Sequence, residues 1–112
     1  MKYWLSIITT IFLLNCNIPN EIKLSDTIMF EGAIYQLNES KPFTGIVYNN
    51  YITGEREYEG SYKNGRPHGK IIYWHKNGSK KKEGQLNYGV QIGKWCYYDS
   101  IGILRESITY NK

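Results

Sequence analysis

Tyr58-Glu59-Gly60-Ser61-Tyr62-Lys63-Asn64-Gly65-Arg66-Pro67-His68-Gly69-Lys70 is the stretch that decides the fold. Tyr58, Gly60 and Tyr62 alternate with Glu57, Glu59 and Ser61, the period-two pattern of a strand with one face on a core and one in water. Asn64-Gly65 brings turn chemistry, Arg66-Pro67-His68 completes the connection, and Gly69 opens a second strand-like run, Lys70–Trp74.

The same grammar recurs outward from this stretch. Gly45, Gly69 and Gly93 stand 24 residues apart, and nine residues after each comes another glycine: Gly54, Gly78 and Gly102. Gly60 and Gly84 keep the same spacing, as do Gly65 and Gly89, so ten of the 11 glycines fall on one lattice and only Gly32 does not. A fixed period of this length marks an array of one small supersecondary unit. Each unit reads as two strands. The first strands are Ile46–Asn50, Lys70–Trp74 and Lys94–Tyr98. The second run through Tyr58–Tyr62, Lys82–Leu86 and Glu106–Tyr110, with Ile34–Leu37 as a possible extra strand before them. Asn77-Gly78 suits a two-residue hairpin turn with positive φ at both positions, and Thr53-Gly54 and Ile101-Gly102 take the equivalent place. Gly60 and Gly84 sit inside strands, where glycine weakens the strand unless a neighbour needs the space. An aromatic ring from the adjacent strand would use it, from among Tyr73, Trp74, Trp95, Tyr97 and Tyr98. The expectation is an all-β, elongated antiparallel meander with repeats at about 41–64, 65–88 and 89–112, inside a domain spanning 33–112.

The Tyr58–Lys70 stretch resembles the MORN repeat. The Gly93–Tyr98 and Lys41–Gly45 segments are similar to the bacterial variants of that repeat, including those of YwqK-family antitoxins. The resemblance covers roughly residues 41–112. It implies a twisted single-layer sheet of hairpins and roles in scaffolding, protein interaction and membrane association. It also implies two rival roles, an antitoxin or immunity protein of a toxin–antitoxin pair and a binder of anionic phospholipid headgroups.

The N-terminus carries a different message. Lys2 precedes the uncharged, mostly apolar run Tyr3–Leu14, too short for the roughly 20 residues of a membrane span but suited to a signal peptide. Leu13-Leu14-Asn15-Cys16 resembles the lipobox of bacterial lipoproteins, with Asn15 where a small residue is usual. On that reading 1–15 is a signal peptide, Cys16 carries lipid, 16–32 is a lipidated start and irregular tether, and the chain is an extracytoplasmic, membrane-anchored lipoprotein of a bacterial envelope. Cys96 is then left without a disulfide partner and reads as a small buried hydrophobe.

Composition narrows the functions. Fourteen Lys and Arg against ten Asp and Glu give a net charge of +4, too little and too dispersed for a nucleic-acid binder. The 15% aromatic content argues against disorder. His68 reads as a turn residue and His75 has no second histidine at metal spacing, so neither a metal site nor a cofactor is expected. Glu55, Glu57 and Glu59 read as a solvated strand face, and no catalytic set can be assembled. The expectation is a non-enzymatic module that binds a protein or envelope component. Two surfaces are candidates. Trp74, Trp95, Tyr97 and Tyr98 form an aromatic one, which reads equally as core. Lys80-Lys81-Lys82 forms a basic one, which reads first as a protected strand edge and second as an anionic-lipid contact.

Overall fold

The computed structural model describes residues 20–111, and the signal-peptide and Cys16 expectations lie outside them. Nine strands run in chain order: β1 Glu21–Lys23, β2 Thr27–Phe30, β3 Ala33–Gln36, β4 Gly45–Asn50, β5 Arg56–Lys63, β6 Arg66–Trp74, β7 Lys80–Asn87, β8 Val90–Tyr98 and β9 Leu104–Tyr110. A single 3-10 turn, Leu24–Asp26, is the only helical element among the described residues. The described chain is all-β, and no helix in it is long and apolar enough to cross a membrane.

Seven strands form one mixed sheet in the order β1-β4-β5-β6-β7-β8-β9. From β4 to β9 each strand is antiparallel to the next, while β1 joins the edge of β4 in parallel. β2 and β3 make a separate two-stranded hairpin closed by Glu31-Gly32. Two expectations change here. The stretch expected to be an irregular tether is ordered from Glu21 onward, because Ile22 pairs with Val47 and the Asn20 carbonyl accepts from Ile46 N–H at 2.8 Å. The strand expected near Ile34–Leu37 pairs with β2 rather than extending the large sheet.

The turns also change places. In the large sheet the two-residue turns with positive φ at both positions are Asn64-Gly65 (φ 50° and 81°) and Tyr88-Gly89 (47° and 90°), and Glu31-Gly32 (49° and 80°) is the same turn in the β2–β3 hairpin. Arg66-Pro67-His68 is therefore strand, and Gly69 and Gly93 lie inside β6 and β8 rather than opening them. At Asn77-Gly78 only the glycine has positive φ. That connection is a longer loop closed by His75 N–H to Ser79 O (2.8 Å) and Gly78 N–H to His75 O (3.0 Å). Tyr51–Glu55 and Asp99–Ile103 repeat both bonds 24 residues away on either side. The pairing slips at Asn49/Asn50, Tyr73/Trp74 and Tyr97/Tyr98, again 24 apart, so each loop is fed by a β-bulge that sharpens the local twist.

One row of residues crosses the sheet: Val47 opposite Gly60, Gly60 opposite Ile71, Ile71 opposite Gly84, then Trp95 opposite Ile108. Large side chains alternate with glycine along it, and Val47, Ile71 and Trp95 are buried. The reason is geometric. A Cβ on Gly84 would sit 2.1 Å from the Trp95 ring and one on Gly60 would sit 2.7 Å from the Tyr58 hydroxyl, so each glycine is the floor beneath an aromatic side chain. Burying a tryptophan side chain removes roughly 150–250 Å² from water, about 4–6 kcal/mol. A sheet one layer thick gains that only by laying the ring flat on its own neighbours. The second packing centre is Ile34, Phe43 and Val47, with Ile22, Tyr58 and Tyr62 against it, where the β2–β3 hairpin covers the sheet.

Candidate functional site

Strand alternation gives the sheet two unlike faces. The face carrying the glycine row also carries Tyr58 and Tyr62 from β5 and Tyr73 from β6. The Tyr58 and Tyr73 rings stand 4.9 Å apart at 48°, and the Tyr58 and Tyr62 hydroxyls share a 3.1 Å hydrogen bond. With Leu24, Asn49 and Glu57 these rings line a shallow depression of about 290 Å³. Glu57 reaches it because of the bulge: Asn49 pairs with Tyr58 and Asn50 with Arg56, leaving Glu57 as the extra residue. Asn49 Nδ2 donates to Glu57 Oε1 at 2.9 Å and fixes the carboxylate beside the rings. Burial pushes the Tyr58 phenol well above its ordinary pKa, helped by the hydrogen bond to Tyr62. The Tyr73 phenol is also raised, first by burial and then by the charges of Tyr62 and Glu57. These phenols stay protonated at neutral pH, so the depression holds neutral rings and one carboxylate.

The opposite face has a smaller hollow of about 180 Å³, lined by Lys70, Glu83, Gly84, Gln85, Lys94 and Cys96. Lys80 Nζ donates to Glu83 Oε1 (3.0 Å) and Tyr98 Oη donates to Glu83 Oε2 (3.1 Å). The Lys80 bond, then the Tyr98 bond, hold the Glu83 carboxyl below its usual range. The Glu83 bond in turn pushes the Tyr98 phenol up to about 12. Cys96 is half-buried here rather than fully interior. Among the described residues no group of three His, Cys, Asp or Glu side chains is placed to hold a metal ion.

The expected aromatic surface does not assemble. Trp95 is 3% exposed over Gly84, its indole N–H donating to Gln85 O at 3.2 Å, so it is core. Tyr97 shares the face of Trp95, whereas Tyr98 is on the Glu83 side and Trp74, one residue past Tyr73, points away from the tyrosine face. The lysine run is likewise divided. Lys80 pairs with Glu83, Lys81 is exposed, and the Lys82 ammonium lies 4.6 Å from the Tyr73 ring centre on the tyrosine face. Of the expected acidic face, Glu55 accepts from Thr53 and Glu59 pairs with Arg56, but Glu57 turns into the depression.

Sequence reasoning placed Tyr58 and Tyr62 on one face but assigned them to core, and it passed over Asn49 and Tyr73 as partners of Glu57. The bulge that gathers them leaves no mark in composition. The β2–β3 hairpin adds one more feature, a cluster of exposed apolar side chains at Ile28 (53%), Met29 (67%) and Phe30 (59%). No family model, no curated protein and no solved structure matches the chain.

Proposed function

We propose that this chain is a lipid-anchored envelope module whose MORN-variant hairpins bind a protein or envelope component through one sheet face, without catalysis. The tyrosine depression carries the reading. It gathers three aromatic rings, a held carboxylate and an amide on a rigid antiparallel scaffold, the mix of apolar wall and few fixed polar groups that small binding sites use. The 24-residue recurrence of bulges and loop bonds supports the repeat assignment. The anchor is supported by the lipobox-like Leu13–Cys16 and by the apolar hairpin whose first exposed side chain, Ile28, comes 12 residues after Cys16. Acylation at Cys16 would hold Ile28, Met29 and Phe30 near the headgroups.

Two measurements test this in a bacterial host. A metabolic fatty-acid label should enter the wild-type chain and be lost, with membrane retention, in Cys16→Ser. A photo-crosslinking side chain at Tyr62 should yield a discrete adduct in envelope preparations, while one at Lys94, on the opposite face, should not. Adducts from Lys94 alone would reject the tyrosine face as the binding surface.

A further inference from the structure

We infer that the depression between Tyr58, Tyr62 and Tyr73 receives an alkylated ammonium group, the trimethylammonium head above all. This deepens the reading of that face as a binding surface and rests on it. The protein's own cations already sit on several of its rings. Arg56 lies 4.1 Å from the Tyr48 ring centre, Lys76 lies 5.8 Å from that of Tyr51, and Lys82 lies 4.6 Å from that of Tyr73. Three rings of this small sheet thus meet a cation supplied by the chain itself. Among the described residues none lies over Tyr58 or Tyr62, the two rings beside Glu57.

The carboxylate makes the same point independently. Glu21 and Glu59 pair with Arg56, Glu83 with Lys80, and Asp99 with Arg105. Among the described residues Glu57, like Asp26, Glu31, Glu39, Glu55 and Glu106, pairs with no lysine or arginine, but those five are exposed and Glu57 alone is half-buried. Its neighbour is the neutral Asn49 amide, which orients Oε1 at 2.9 Å without neutralising it. A half-buried carboxylate next to two half-buried rings that carry no cation of the described chain attracts positive charge twice over, by Coulomb attraction and by the ring quadrupoles.

Shape and solvation select the kind of cation. A bare ammonium is strongly hydrated and needs several acceptors to replace its water. Apart from Glu57 and Asn49 on one side, the walls are rings and the Leu24 side chain, too few acceptors to replace the water of a bare ammonium and suited to methyl groups on nitrogen. At about 290 Å³ the depression sits at the small end of ligand pockets, roughly 300–1,000 Å³, and fits a headgroup rather than a large molecule. The Lys82 ammonium over Tyr73 places the ligand on the Tyr58–Tyr62 side and keeps the affinity low, on the order of millimolar.

The test uses the full chain in a detergent without choline. Tyrosine side-chain NMR shifts are followed on titration with tetramethylammonium, choline and the neutral isostere in which a tert-butyl group replaces trimethylammonium. Saturable shifts with the two cations, none with the isostere, and a loss of about fivefold or more in Glu57→Gln are expected. Tyr62→Leu should abolish the shifts and Tyr62→Phe should keep them, while Lys94→Ala should change nothing. Equal binding of the isostere, an unchanged Glu57→Gln variant with native amide spectra, or no shift at all would overturn the inference. Phosphatidylcholine vesicles then separate the sources: competition by vesicles indicates a lipid headgroup, and response to choline alone indicates a free quaternary amine. A Tyr62 photo-adduct without any cation response would reject this ligand class and leave the binding face standing.

Discussion

The two ends of the large sheet solve the same packing problem differently. At β4 and β5 the sheet face is covered by a second layer. The β2–β3 hairpin brings Ile34 down with Phe43 onto Val47, which has no exposed surface, and Ile34 N–H bonds to the Gly65 carbonyl at 3.0 Å. At β7 and β8 no second layer is present among the described residues, and Trp95 is buried by its own neighbour, lying on Gly84. A covered core tolerates side chains of ordinary size because the other layer fills the space. An uncovered one depends on an absent side chain. Glycine at 84 is therefore a packing residue, and the uncovered end should be the less forgiving of added volume.

Gly84→Ala breaks the comparison most directly. Its methyl would occupy the Trp95 ring position, so the indole must leave, and the cost should approach that of Trp95→Ala, about 3–5 kcal/mol. Denaturant unfolding of both single variants and the double variant checks this. Once the ring is gone the alanine should cost little, so the two effects must be strongly non-additive. Simple additivity would mean the ring does not depend on the glycine. At the covered end Phe43→Ala should cost about 3–4 kcal/mol and should expose the amides of β2 and β3 to hydrogen exchange before those of β8.

Gly65→Ala sharpens the same contrast at the seam between layers. A Cβ there would meet Ala33 Cβ at 2.7 Å and the Ile34 backbone at 3.0 Å, on a φ of 81°. The expected loss is about 2–3 kcal/mol from strain and displacement of the hairpin. Gly89→Ala has a φ of 90° but nothing within contact distance, so it should cost about 1 kcal/mol, the conformational part alone. The difference between these two melting curves isolates what the hairpin contributes.

How much of this was readable beforehand follows from which residues act locally. The glycine lattice announced the antiparallel run from β4 to β9 but not β1 to β3, which lie off it, because in-strand glycine and turn glycine are both expensive unless used. The turn types were not readable. Asn64-Gly65 and Asn77-Gly78 are identical dipeptides, yet only the first has positive φ at both residues. Both strand pairs slip in register, at Gly60/Tyr62 beside the first and at Tyr73/Trp74 beside the second, but only the second slip lies at the strand end, where the added residue feeds a longer loop. Tyr88 is stranger still, a bulky residue at φ 47°. It is held by His68, whose ring stacks at 4.2 Å and whose Nδ1 accepts from Tyr88 N–H at 3.3 Å, a partnership across 20 residues that becomes visible only with the register known. The site was hidden for the same reason. Alternation shows that Tyr58 and Tyr62 share a face, but coverage of that face depends on where the hairpin stops.

Alkaline titration separates the ends by a different probe. Tyr58, with a pKa raised by burial above the ordinary 10.0, binds its proton more tightly folded than unfolded. Its contribution to stability is complete below pH about 10 and is lost as the pH climbs beyond it. Tyr98, at the uncovered end, rises only to about 12 and through a solvent-facing bond to Glu83. Tyrosinate absorbance should therefore show Tyr98 titrating in the folded chain, with Tyr58 ionising only as the sheet unfolds. Tyr58→Phe should remove amplitude from the unfolding step and Tyr98→Phe from the earlier one. The reverse pattern would mean the hairpin does not shield the tyrosine face.

The smallest effect belongs to the uncovered face at acid pH. Glu83 has its pKa lowered below the ordinary 4.5, chiefly by Lys80 and then by Tyr98, so its contribution is present above that value and is lost as the pH falls through the folded one. Glu83 is half-buried but its Lys80 partner is exposed, so water and salt screen the pair, which limits the gain to roughly 0.2–1 kcal/mol. Glu83→Gln should cost that much near neutrality and nothing in acid, with the difference shrinking in high salt. Glu57→Gln, on the covered side, removes a carboxylate with no cationic partner among the described residues. It should leave stability near neutrality unchanged or slightly higher, so one pair of titrations distinguishes a carboxylate that serves the fold from one left free for a ligand.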